Sequence, residues 1–162
     1  MTELLHSPGF LGTGANFAAD ITLILSLLVA AILTVGVVLA VRHQYEAHRW
    51  FQTTGVLLNA VLVLWMMVLP FRDFVAPPAE SSVLPLSAVV TTRIHGLVGA
   101  TALLFGVFVM LRGNKLVPKM LRFSNYKAYM RTAYILYMVA TLIGVFVYIT
   151  WFVGNPSPPT YQ

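Results

Sequence analysis

Cysteine is absent from this chain, which excludes disulfides, thioredoxin-like exchange, covalently attached c-type haem, iron–sulfur clusters and thiolate copper sites. Metal chemistry would have to rest on His, Met, Tyr or carboxylate. Charge is almost as scarce: Asp, Glu, Lys and Arg make up 9% of the 162 residues. A chain so poor in charge, 59% hydrophobic and with a mean hydropathy of +0.83, lies outside the soluble range. HExxH, the Walker loop, GxSxG and paired-carboxylate patterns are missing as well, so the sequence points to no catalytic site.

What the sequence does contain is four long apolar runs. Ile21–Val41, Trp50–Pro70, about Ser87–Leu111 and about Ala128–Val153 are each long enough to cross a bilayer. Residues 1–19, with turn signals at Ser7-Pro8-Gly9 and Gly12-Thr13-Gly14, read as an extramembrane lead. Asn16 or Asp20 is placed to cap the first helix. A cleaved signal peptide is not expected, because Met1–Asp20 carries Glu3, no Lys or Arg, and glycines and Pro8 that interrupt any apolar core. Pro77, Pro78 and Pro85 exclude regular helix throughout the second connection. Because backbone groups in hydrocarbon must pair internally, the expected architecture is all-α: an integral membrane protein with four transmembrane helices in an up-down bundle. The membrane domain covers 20–154 and a polar tail 155–162.

The formal charge of +5 does not signal nucleic acid, because the basic residues sit in loops and at the ends of apolar runs. Arg42, Arg49, Arg112, Lys115, Lys119, Arg122, Lys127 and Arg131 fall on one side, against Arg72 and Arg93 near the other. The positive-inside rule then places both termini outside the cytoplasm. The interleaving of Lys115, Lys119 and Arg122 with Leu116, Val117, Met120, Leu121 and Phe123 suits a short amphipathic piece lying against anionic lipid. In the preceding cytoplasmic turn, Arg42 and Glu46 have the spacing of a helix-surface pair, and His43, Glu46 and His48 read as a solvated turn rather than a metal site.

Small and mildly polar residues mark packed faces in a bilayer better than leucines do. Thr22, Ser26 and Gly36 form such a stripe in the first span, Gln52, Gly55 and Asn59 in the second, Thr92, Gly99 and Gly106 in the third, and Tyr134, Tyr137, Thr141, Gly144 and Tyr148 in the fourth. The third span also carries Arg93 and His95, ionisable groups that need a partner, a cavity or a route to the interface. At about 1.5 Å per residue from Ser87, His95 lies roughly 12 Å inside the boundary. Met66, Met67 and Tyr148 approach that boundary on neighbouring spans, whereas His43 and His48 are most of a bilayer away.

His95 with Met66 or Met67 would be an axial pair for haem b, and His95 with His6 could hold copper. Alternatively, His95 stays neutral and bonds a hydroxyl or carbonyl across the bundle, no cofactor is bound, and Arg93 snorkels outward or pairs with Asp73 or Glu80. An ion pathway built on Arg93, Asn59 and Asp73 is a further alternative, although no internal repeat supports it.

Four short stretches, Pro8-Gly9-Phe10-Leu11-Gly12-Thr13, Ala47-His48-Arg49, Arg93-Ile94-His95 and Gly144-Val145-Phe146-Val147-Tyr148, together resemble a small bacterial family of four-span membrane proteins, CtaM/YozB-like, whose members are associated with maturation or function of haem–copper oxidases. The resemblance implies an assembly factor or accessory subunit of a respiratory membrane, with His48 and His95 as matching family histidines and Arg49 beside the first. The chain departs from the pattern just before span four, where Tyr126-Lys127 replaces the expected histidine and Arg131 is retained. That departure favours a structural role over a cofactor role. The expectation is therefore a non-catalytic accessory subunit or assembly factor of a membrane redox complex in the bacterial inner membrane. Its partners would be that larger complex and anionic lipid, with no nucleic acid.

Overall fold

The computed structural model describes residues 5–68, 71–75, 85–121 and 125–154. Four helices are long and apolar enough to cross a membrane. The first, α1, runs Phe17–Val41. Asn16 caps it: its backbone is extended and its side-chain oxygen accepts from the Ala19 N–H at 2.9 Å. α1 thus starts four residues before the apolar run, and Asp20, the other candidate cap, is fully buried in another role.

The second helix, α2, spans Tyr45–Leu62 and continues through a π-helical turn, Val63–Met67. Its first turn takes in the polar stretch expected to be solvated, and His48 is buried there at 8% exposure. The expected Arg42–Glu46 pair is replaced by Arg49–Glu46 at 2.7 Å. Arg42 is the C-cap of α1 and so lies outside the helix that carries Glu46. A further π-helical turn, Phe71–Val75, precedes α3, Leu86–Gly113. Between α3 and α4, the described residues of the expected amphipathic piece hold a 3-10 turn at Lys119–Leu121. There Val117 is buried at 5% exposure. Arg112 lies 5.7 Å from the Tyr126 ring centroid, so it stays with the bundle. The last helix, α4, runs Tyr126–Tyr148 and ends in a π-helical turn, Ile149–Val153.

Neighbouring helices are antiparallel. On α1 and α4, Thr34 meets Tyr134, Ser26 meets Tyr137 and Asp20 meets Tyr148. On α2 and α3, Thr53 meets Asn114 near one end and Phe71 approaches Gly96 near the other. The closest packing is within each hairpin. Gly36 of α1 leaves the space that the Gln52 amide occupies, and Gly55 of α2 leaves the space taken by Leu33. Close backbone approach at small residues replaces the hydrophobic force that lipid does not supply. The hydroxyls of Thr22, Ser26, Thr34, Thr92, Thr101 and Thr141 donate to carbonyls three or four residues earlier, which satisfies them inside the bilayer.

Two helices end on the same backbone device. After α1, the His43 N–H donates to Ala40 O and the Gln44 N–H to Leu39 O; after α3, the Lys115 N–H donates to Arg112 O and the Leu116 N–H to Leu111 O. These are Schellman closures, and each needs a left-handed residue. His43 (φ 60°) and Lys115 (φ 64°) supply it without being glycine. Lys115→Gly is expected to raise stability by about 1 kcal/mol, because the Cβ clash disappears while the closure remains. Unfolding of the detergent-solubilised protein checks this; an unchanged or lower midpoint contradicts it.

Candidate functional site

The bundle has two chemically different ends. At the end carrying the termini, the lead folds back on α1: the Gly9 N–H donates to Ala15 O at 2.9 Å and the Phe17 N–H to Ser7 O at 2.8 Å. This brings the backbone of residues 9–11 over the Asp20 carboxylate. The Phe10 and Leu11 N–H groups donate to Asp20 Oδ2 at 2.6 and 2.7 Å, and the Tyr148 hydroxyl donates to Oδ1 at 2.5 Å. Thr13 Oγ1 lies 2.8 Å from the same tyrosine oxygen, and the Gly14 N–H donates to Phe152 O at 3.2 Å. Gly9 is required here, since a Cβ would strike Asp20 Oδ2 and Ala15 O. Asp20 also sits in the first turn of α1, where the helix dipole favours a negative charge.

Beside this closure, Arg93 donates through Nε and a terminal nitrogen to the Val75 carbonyl at 3.2 and 3.0 Å. Arg93 therefore serves a carbonyl in the Phe71–Val75 turn. Glu80 and the Asp73 side chain, its expected partners, lie outside the described residues. Trp151 Nε1 donates to Thr92 Oγ1 at 2.9 Å, within a small core of Val75, Ala88, Val89 and Trp151.

His95 points across to α4. Its imidazole packs on Gly144, where a Cβ would come within 2.9 Å of Cε1. Nδ1 is buried with no hydrogen-bond partner among the described residues. Met66 lines an apolar cleft of about 240 Å³ with Leu25, Leu28 and Trp65, between α1 and the extension of α2. Met67 follows it and is half-buried. The structure thus gives His95 and Met66 different neighbours. His6 is exposed on the lead. Among the described residues, no three His, Asp or Glu side chains gather as a metal site.

The opposite, basic end is open. A cavity of about 800 Å³ lies among all four helices, within the size range of small-molecule sites. His48 lines it, as do Gln52, Asn59, Tyr134 and Tyr137. The His48 Nδ1–H donates to Gly36 O at 2.7 Å, since a carbonyl can only accept. Gln52 Nε2 donates to Leu33 O at 3.0 Å. Asn59 is buried at 8% exposure. Arg49, Lys127 and Arg131 belong to the cavity lining.

His48, marked by the family resemblance but placed in a solvated turn by the sequence, is buried. It lies one turn before Gln52, Gly55 and Asn59 at helical spacing, so the inward stripe of α2 extends back to it. That spacing was the available signal. Gly106 also departs from the packing expectation: a Cβ there would meet nothing within 4 Å, because it borders the cavity.

Fold and site define a multi-pass membrane protein, sealed at one end by a buried carboxylate and open at the other through a mainly apolar cavity with a few polar side chains on its wall. No family model, curated protein or solved structure matches this chain.

Asp20→Asn leaves one acceptor oxygen for donors that now reach two, and is expected to cost about 2 kcal/mol. Thermal unfolding should show the loss, with faster proteolysis in residues 5–16; unchanged values on both counts contradict the closure. Gly144→Ala should destabilise by about 1–3 kcal/mol, because the added methyl meets the His95 ring. A neutral Gly144→Ala would place the imidazole elsewhere.

Proposed function

We propose that this chain is a non-catalytic accessory subunit or assembly factor of a larger membrane redox complex of respiratory type, in the bacterial inner membrane. The observation that carries the reading is the outward face of α3. Val90, Ile94, Leu97 and Leu104 are all large, apolar and exposed, and exposed Thr101 completes the stripe. Their spacing alternates four and three, that of a helix-packing seam. The most apolar window of α3 is 11% buried, against 22% for α1 and α4. Thr101, together with exposed Ala100 on the same side, is the kind of small residue found where membrane helices associate.

The connections at the basic end are short, so a partner would be met mainly through helix sides, the lead and the outer loop. The excess of Lys and Arg at that end supports an orientation with both termini outside the cytoplasm and the basic loop against anionic lipid. The resemblance to CtaM/YozB-like proteins supports a haem–copper oxidase as the complex.

Because the chain has no cysteine, Leu97→Cys provides a single reactive thiol in the seam. In native membranes it should cross-link to a larger subunit, while Leu142→Cys on the exposed face of α4 should not. Isolation in mild detergent should recover the protein within a larger complex. A solitary monomer with no cross-link at position 97 would remove this reading.

A further inference from the structure

The geometry points to the basic-end cavity as a site for an iron porphyrin, with His48 Nε2 as the axial ligand to the iron. His48 is 8% exposed, and its Nδ1–H is committed to the Gly36 carbonyl at 2.7 Å. In the neutral ring Nε2 therefore carries a lone pair and no proton. His48 lines the cavity and Gly36 does not, which leaves Nε2 as the ring nitrogen available to a ligand there. Metal-ligating histidines are held in this way, one nitrogen donating to a backbone carbonyl and the other presented to the metal.

The remaining features narrow the ligand. A basic nitrogen without a proton accepts a metal centre or a donated hydrogen bond. The cavity volume of about 800 Å³ admits a group far larger than a bare ion, and although His43 and Glu46 share the lining, no three His, Asp or Glu side chains gather among the described residues to hold one. Gly106 leaves open space where a side chain would stand. Lys127 and Arg131 are exposed and belong to the lining, with Arg49 engaged by Glu46. Apart from exposed His43, which bonds the Tyr45 hydroxyl, and the Glu46–Arg49 pair, the site thus offers a largely apolar interior, the His48 ring as a Lewis base and two further cations. A flat apolar ring with a Lewis-acid centre and carboxylates along one edge satisfies all three. This inference is independent of the accessory-subunit reading and differs in position from a His95-centred site.

The test is titration of the purified protein, in detergent and in phosphatidylcholine nanodiscs, with ferric haem and separately with metal-free protoporphyrin. Saturable one-to-one binding with a shifted Soret band is expected, with metal-free protoporphyrin at least tenfold weaker. His48→Gly should weaken haem binding at least tenfold and recover the band when free imidazole is added. Lys127→Gln with Arg131→Gln should weaken it several-fold and flatten its dependence on salt. In case His48→Gly disturbs folding, Gly106→Leu fills the cavity without touching the histidine and should abolish binding in a protein with unchanged helicity. Equal affinity for metal-free protoporphyrin would overturn the proposal, leaving a site for apolar anions such as lipid. Loss of the band on His95→Ala with retention on His48→Gly would also overturn it.

Discussion

A carboxylate with no exposure to solvent holds one end of this protein together. Asp20 is fully buried, and stripping a carboxylate of water costs several kcal/mol unless hydrogen bonds replace the hydration. The chain supplies two backbone N–H groups from the lead and one hydroxyl from α4. Meeting that requirement fixes three things at once: the path of residues 9–11, the start of α1 and the outer end of α4. The lead is thereby part of the folded unit, seated on the bundle by a requirement of α1.

The same demand for satisfied polar groups explains the irregular backbone at this end. π-helical turns occur in the extension of α2, just before α3, and after α4. Such turns change the pairing of carbonyls, and at membrane depth those carbonyls need donors. Arg93 provides two donors to Val75, and the Gly154 N–H closes on Ile149 O at 2.8 Å. Arg93 therefore serves the backbone at a depth where charge is otherwise expensive. At the basic end the helices part, and polar side chains border a cavity. The bundle is thus asymmetric: one end is consumed by internal bonding and the other keeps polar groups available.

Much of this was legible in the residues. Tyr134, Tyr137, Thr141, Gly144 and Tyr148 alternate three and four along α4, and three of those side chains do join α1. Gly36 and Gln52 likewise meet across the first hairpin, and Gly55 packs on Leu33. What spacing could not supply was depth and partner. Asp20 and Asn16 are equally good caps by type, and only the fold of the lead separates their roles. Gly106 and Gly144 look alike in a stripe, yet one borders a cavity and the other accommodates an imidazole. A stripe records which side of a helix is small. How far away the neighbour stands depends on the crossing of two other segments.

The sequence by itself determined that this is a four-span helical membrane protein, because the length and apolarity of the runs, set against the cost of unpaired backbone in lipid, allow little else. It also determined that the chain turns between the runs, although the polar stretch before Trp50 became the first turn of α2. The tertiary structure alone decided what the few polar side chains do. It turned Asp20 into the anchor of the lead, gave Arg93 a carbonyl, set His95 on Gly144, and placed His48 inside the bundle with one nitrogen bound to the Gly36 carbonyl. The physical reason is that a buried polar group is defined by its hydrogen-bond partners. For Asp20 and His48 those partners lie from nine to well over a hundred positions away.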